Sequence, residues 1–258
     1  MPYFLSFFLG AALGSFVNVV VTRLHVAKTT NTRSKCLACG EKIRGYDLIP
    51  VLSYLLLKGK CRDCKSPYGI SSLLIEVLYG VLFVLLYYFI LRGQITPLYS
   101  LVWLLYYSLL FIVLGVVALY DYKHTYIPIL HLLVYIVLTF LVLVIRYIAT
   151  PSYIVLLGPL VVALPFFIIF LLTKGKGLGF GDVILFLGVG AFFGIEQGLA
   201  VLLISVWLGA LYGMVVYSRR RKTNNHSTLI PFVPCIVISF LIVLFTDIDI
   251  FSIASLFA

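Results

Sequence analysis

Long apolar runs alternate with short polar breaks along this chain, and the runs have the length of membrane spans. Segments at about 2–24, 72–91, 97–120, 126–147, 153–173, 198–217 and 229–246 each hold the roughly 18 or more residues that suit a helix crossing a bilayer. A further run at 182–195 has only about 14, a length that also suits a tilted or re-entrant segment, so eight spans are expected and seven remain an alternative. The first run contains the small residues Ala12, Gly14 and Ser15 but no basic stretch before it; the positive charge follows it, as in a retained span rather than a signal peptide. One polar stretch, 25–71, is too long to be a turn. The pattern therefore predicts three parts: a first transmembrane helix at 1–24, a loop domain at 25–71, and a multi-helix membrane domain at 72–258.

Composition agrees. Mean hydropathy is +1.16 and charged residues make up 11%, which excludes an ordinary soluble domain. Charge then orients the spans. Under the eight-span arrangement seventeen of the nineteen Lys and Arg residues fall on one side: ten between Arg23 and Lys65, together with Lys123, Lys174, Lys176, Arg219, Arg220, Arg221 and Lys222. Only Arg92 and Arg146 fall on the other. The positive-inside rule makes the crowded side cytoplasmic and places the amino terminus outside. The net charge of +10 is read as topology and contact with anionic lipid, not as a nucleic-acid surface.

With nine acidic residues in 258, each one near a span carries weight. Asp121 closes the third span in ALYDYKHTYIP, and Asp182 opens the sixth in GKGLGFGDVILF; both fall at the cytoplasmic boundary and are expected to face each other. Two carboxylates sharing a poorly solvated site divide one proton, so one can deprotonate a water while the other donates to a peptide carbonyl. Before Asp182, Gly175, Gly177, Gly179 and Gly181 offer positive φ and close approach to an extended substrate. Alone, either aspartate could instead cap a helix, Asp182 as an N-cap and Asp121 by closing a turn. As a pair they point to hydrolysis, with a proton-coupled transporter using Asp121 and Asp182 as the alternative.

The 25–71 loop holds CLAC at 36–39 and CRDC at 61–64, separated by residues 40–60. Four thiolates at Cys36, Cys39, Cys61 and Cys64 fit a closed, structural Zn2+ site of zinc-ribbon type; two disulfides are the other reading, and a reducing cytoplasm disfavours them. Cys235 reads as a small buried apolar residue. His25, His124 and His226 read as solvated interface residues, while His131, inside the fourth span, either bonds to a neighbour or lines the cavity. The pairs Gly10/Gly14, Gly190/Gly194 and Gly209/Gly213 read as helix-packing contacts.

Taken in order, GSFVNVVVTRL at 14–24, the two CxxC pairs around GYDLIPVLSYLLLKGKC, LYDYKHTYIP at 119–128 and GLGFGDV at 177–183 resemble the bacterial type IV prepilin peptidases. SSLLIEVLYGVLF at 71–83 and IPFVP at 230–234 fit the same family. The resemblance implies an intramembrane aspartic endopeptidase of the GxGD type. In it Asp121 and Asp182 are catalytic, Gly179, Phe180 and Gly181 form the substrate-side loop, and the four cysteines bind zinc. It further implies cleavage of a basic leader from prepilins or pseudopilins and methylation of the new amino terminus with S-adenosylmethionine, in a pilus, competence or secretion system. Glu76 matches a family glutamate and is a candidate for the methyl-donor site, although a buried glutamate bonding to another helix is as good a reading. Val233 departs from the glycine frequent in the PFGP-like block.

Overall fold

The computed structural model describes residues 1–24, 34–36, 38–92, 97–175, 177–221 and 231–255. His25, His226, Lys176 and Lys222 lie outside the described residues. Along the chain run α1 (Pro2–Arg23), a short 3₁₀ turn (Gly45–Leu48), α2 (Leu52–Leu56), α3 (Ile70–Arg92), α4 (Pro97–His124), α5 (Ile129–Ala149), α6 (Tyr153–Thr173), α7 (Phe180–Phe193), α8 (Ile195–Arg221), α9 (Val233–Thr246) and α10 (Ile250–Ala254). Among the described residues six helices are long and apolar enough to cross a membrane, namely α1, α3, α4, α5, α6 and α8. Two further apolar helices, α7 and α9, have 14 residues each.

The short α7 agrees with the sequence. The last span does not: expected over 229–246, it begins only at Val233, so at about 21 Å it falls short of the roughly 30 Å hydrocarbon core. Pro231 and Pro234 explain this, because proline lacks a donor and the residue before it avoids helical backbone, which leaves Pro234 a place only in the first turn.

The chain forms two compact units, Met1–Ile112 and Val113–Ala258. In the first, α1 lies against α3. Gly10 and Gly14 set how closely: a Cβ on Gly14 would come 2.9 Å from the Ile75 carbonyl oxygen, and one on Gly10 would meet that of Tyr79. These two glycines are the packing contact their spacing predicts. Asn18 of α1 donates to the Ser72 hydroxyl of α3 at 2.9 Å, and Tyr79 donates to the Phe111 carbonyl at 2.8 Å.

In the second unit α7 is the centre. Ten of its 14 residues are buried, and it packs on α5, α6 and α8. A helix apolar all round is stable only when enclosed, and enclosure is what allows one this short at membrane depth. Gly158 of α6 and Gly190 of α7 let those backbones touch: a Cβ on Gly158 would lie 2.8 Å from the Gly190 carbonyl oxygen. At the far end of α7 the Arg146 guanidinium of α5 donates to the Phe192 carbonyl at 3.0 Å, supplying a donor that the helix end lacks.

Candidate active site and four-cysteine cluster

Asp121 lies one turn before the end of α4, which continues to His124, beyond the limit of 120 expected for the third span. The chain then leaves through Thr125, at φ 52°, whose N–H returns to the Asp121 carbonyl at 2.7 Å. Asp182 is not the N-cap of α7; Gly179 is, in extended backbone, and Asp182 sits in the first turn with its carboxylate turned back toward the Gly179 N–H. That is the capping-box arrangement with an aspartate in the glutamate's place.

The two carboxylates are the buried acidic groups among the described residues, at 7% and 9% exposure. They stand within electrostatic reach of each other. Each is also held by a helix amino terminus. Asp121 Oδ2 accepts the N–H of Val233, the first residue of α9, at 3.1 Å, and Asp182 occupies the first turn of α7. Unpaired N–H groups and the aligned peptide dipoles make such ends favourable places for a carboxylate. Both short helices therefore point their amino termini at one acidic pair.

Neighbouring packing fixes these ends. Phe166 of α6 stacks on Phe186 of α7 at 4.2 Å and lies 5.7 Å from Phe232, which precedes the Val233 donor. Buried Tyr135 of α5 donates to the Leu185 carbonyl at 3.1 Å, its ring filling the space that Gly188 leaves open. Ile127 presses against Gly181, where a Cβ would come 2.6 Å from its Cδ1.

Of the four alternating glycines only Gly175 takes a positive φ, 73°, where it closes α6 by donating to the Phe170 carbonyl at 3.0 Å. The freedom expected of the other three is not used as positive φ. Gly181 serves close packing, and at Gly179 an added Cβ would have Asp182 Oδ2, 3.5 Å away, as its nearest neighbour, so the space in front of it is open. Phe180 is exposed, its ring 5.4 Å from that of Phe170. Val233, Phe232 and Tyr135 were not assigned from sequence; the two prolines flanking Phe232 and Val233 were the available signal that a helix starts there.

In the first unit the cysteine pairs form two matching knuckles. Cys36 N–H donates to the Glu41 carbonyl at 2.9 Å and Cys61 N–H to the Ser66 carbonyl at 2.8 Å; one isolated bridge joins Lys35 to Lys42, another Lys60 to Pro67. The residue after each second cysteine is left-handed, Gly40 at φ 76° and Lys65 at φ 59°. All four Sγ atoms lie within 4.8 Å of one another, and Cys36 Sγ to Cys64 Sγ is 3.7 Å. That is near the edge of about 3.8 Å that four Zn–S bonds of about 2.3 Å would give a tetrahedron, so the residues fit the metal. None of the four is in a disulfide. The backbone N–H of Cys39 beside Cys36 holds that thiol down at about 6, whereas desolvation and the neighbouring Cys64 and Cys36 sulfurs push Cys39 up. Arg62, inside the second pair, grips Asp47 at 2.7 and 3.0 Å and holds its carboxyl below the usual carboxylate range.

Glu76 of α3 is engaged with backbone: its Oε2 accepts the N–H of Val51 at 2.8 Å. Val51 itself stands at φ 62°, ψ −53°, with the Leu52 N–H returning to the Pro50 carbonyl at 2.6 Å, which is a γ-turn of the rarer, strained hand.

The structure is that of a multi-pass membrane protein with two buried carboxylates at helix ends and a four-thiol cluster, and a carboxylate pair can act as acid and base. Residues 8–90 match the bacterial peptidase A24 N-terminal domain and residues 108–214 the type IV leader peptidase family. A prepilin leader peptidase/N-methyltransferase of Pseudomonas putida is 30% identical over 261 residues, covering 90% of this chain and 86% of that protein. One of Vibrio cholerae is 28% identical over 254 residues, covering 91% and 92%, and one of Myxococcus xanthus is 41% identical over 78 residues, covering 30% and 23%. No solved structure matches. The chain belongs to the type IV leader peptidase family. The transporter alternative finds no support among these relatives.

Proposed function

We propose that this chain is a prepilin leader peptidase of the bacterial inner membrane, with Asp121 and Asp182 as its catalytic pair, and that it also N-methylates the trimmed product. The observation that carries the reading is the buried pair itself, two carboxylates each at the amino terminus of a short helix, within the residues that match the peptidase family.

The pair holds one proton between its members. The ionised carboxylate takes a proton from water as the oxygen attacks the scissile carbonyl; the protonated one donates to the carbonyl oxygen, giving a tetrahedral diol. Return of a proton to the nitrogen then releases the amine while the C–N bond breaks. The Val233 N–H on Asp121 and the first turn of α7 around Asp182 keep both groups aimed through these steps. The open face at Gly179 admits the substrate backbone.

By the charge distribution the amino terminus is outside and the cysteine loop and both aspartates are cytoplasmic, where a basic leader is available. Zn2+ held by Cys36, Cys39, Cys61 and Cys64 would stabilise a loop too small for a core of its own. Methylation follows cleavage, because only cleavage frees the amine; S-adenosylmethionine, when bound, would supply the methyl group to that nitrogen. Glu76, whose Oε2 accepts the Val51 N–H, is the candidate for the methyl-donor site that the family resemblance offers.

Incubating the purified protein with a prepilin and S-adenosylmethionine and measuring product mass tests both activities. Wild type is expected to remove the leader and add about 14 Da. Asp121→Asn and Asp182→Asn are each expected to slow leader removal at least about a thousandfold while inserting normally. Equal processing by both variants would sink the assignment.

A further inference from the structure

His131 is a polar group that the proposed mechanism leaves unused. Its Nδ1 is fully buried and has no hydrogen-bond partner among the described residues, while the residue as a whole is only half-buried, so Nε2 is the edge of the ring left accessible. Contacts on either side fix its level. Ile127 packs on Gly181, Tyr135 on Gly188 and Leu185, and Arg146 on Phe192 and Gly194, so α5 and α7 run in the same direction. His131, one turn before Tyr135, is therefore level with Ile184 and Leu185 of α7, just past Asp182. At 3.6 residues per turn it points within about 40° of Tyr135, on the α7-facing side of α5.

The tautomer follows from the burial. A proton on Nδ1 would be an orphaned buried donor, a rarer and costlier defect than an unused lone pair, so the proton belongs on Nε2. His131 thus presents one N–H donor near the amino-terminal end of α7, the end that carries Asp182. An extended peptide has no internal hydrogen bonds, and in a poorly hydrated site its carbonyls need donors from the protein.

We propose that His131 contacts the substrate, its Nε2–H donating to a backbone carbonyl of the extended prepilin segment bound alongside Asp182. The inference rests on the peptidase reading above. It is tested with purified full-length protein and a synthetic prepilin peptide carrying a basic leader, comparing wild type, His131→Leu, His131→Gln and His131→Asn, with Asp182→Asn as control. Gln places an amide N–H near the position of Nε2; Asn places one near Nδ1. His131→Leu and His131→Asn should raise KM about tenfold with kcat within about twofold, and Gln should recover most of that loss. The thermal midpoint of His131→Leu should stay at or above wild type, since an orphaned polar atom is removed. A wild-type KM in His131→Leu overturns the proposal, as does a Gln variant no better than Asn; the Gln–Asn comparison decides even if the Leu variant fails to accumulate. If wild type leaves the peptide uncut, the peptidase reading falls and this inference with it, whereas normal wild-type cleavage beside an unaffected His131→Leu removes this inference alone.

Discussion

In the four-cysteine cluster each knuckle is built within eight consecutive residues, 35–42 and 60–67, whereas the aspartate pair is assembled from α4, α7 and α9, with one bond spanning 112 positions of sequence. The knuckles satisfy their polar groups through turns that the sequence repeats. The carboxylates satisfy theirs through the amino termini of two helices too short to span, enclosed by longer neighbours. A local device depends on its own residues and on the metal they could hold; a non-local one depends on packing at a distance from the chemistry. Substitutions in the two regions should therefore fail in different ways.

The largest effect is expected from Cys36→Ser combined with Cys61→Ser. Structural zinc contributes on the order of 10 kcal/mol to the folding of small peptides, more than a segment of this size can replace. Elemental analysis should show loss of about one zinc per chain, and limited proteolysis should cut within 34–69. Retained metal, or retained resistance to protease, would break the local account.

Legibility follows the same division. The cysteine spacing, the alternation of spans, the short sixth span, now α7, and the positions of Asp121 and Asp182 along the chain could all be read, because each is a property of consecutive residues. What could not be read was set by packing: that Val233 supplies the donor for Asp121, that Tyr135 fits the space at Gly188, and that Gly181 serves Ile127 rather than an unusual φ. The last helix was read too long because its apolar run continues through Pro231 and Pro234, and hydropathy does not register a missing N–H. Glu76 was weighed as a methyl-donor contact and as a helix-to-helix bond; its partner is the loop backbone at Val51.

Gly188→Val tests the non-local region by a change that touches neither carboxylate. A Cβ there meets the ring of Tyr135, which is itself buried and tied to the Leu185 carbonyl and so cannot swing away. Overpacking of this kind costs about 1–3 kcal/mol. The thermal midpoint should fall by several degrees and leader removal by more than about tenfold, because displacing α7 from α5 moves the turn that carries Asp182. Loss of stability with full activity would show that the pair does not depend on this packing.

The smallest expected effect concerns the strained γ-turn, where local and non-local devices meet. A β-branched residue at positive φ costs about 1–3 kcal/mol, and here that strain directs the Val51 N–H at the Glu76 carboxylate. Val51→Gly removes the strain but adds about 0.5–1 kcal/mol of backbone entropy to the unfolded chain and gives up a half-buried side chain. The terms nearly cancel, leaving a net stabilisation of the 34–69 segment of under about 1 kcal/mol, measurable by native-state hydrogen exchange. Glu76→Ala should cost about 1–3 kcal/mol in the Val51 background, because it strands a backbone donor. With glycine at 51 the turn can relax and find water, so the same substitution should cost less. Equal costs in the two backgrounds would mean that Glu76 does not hold the turn against its own strain.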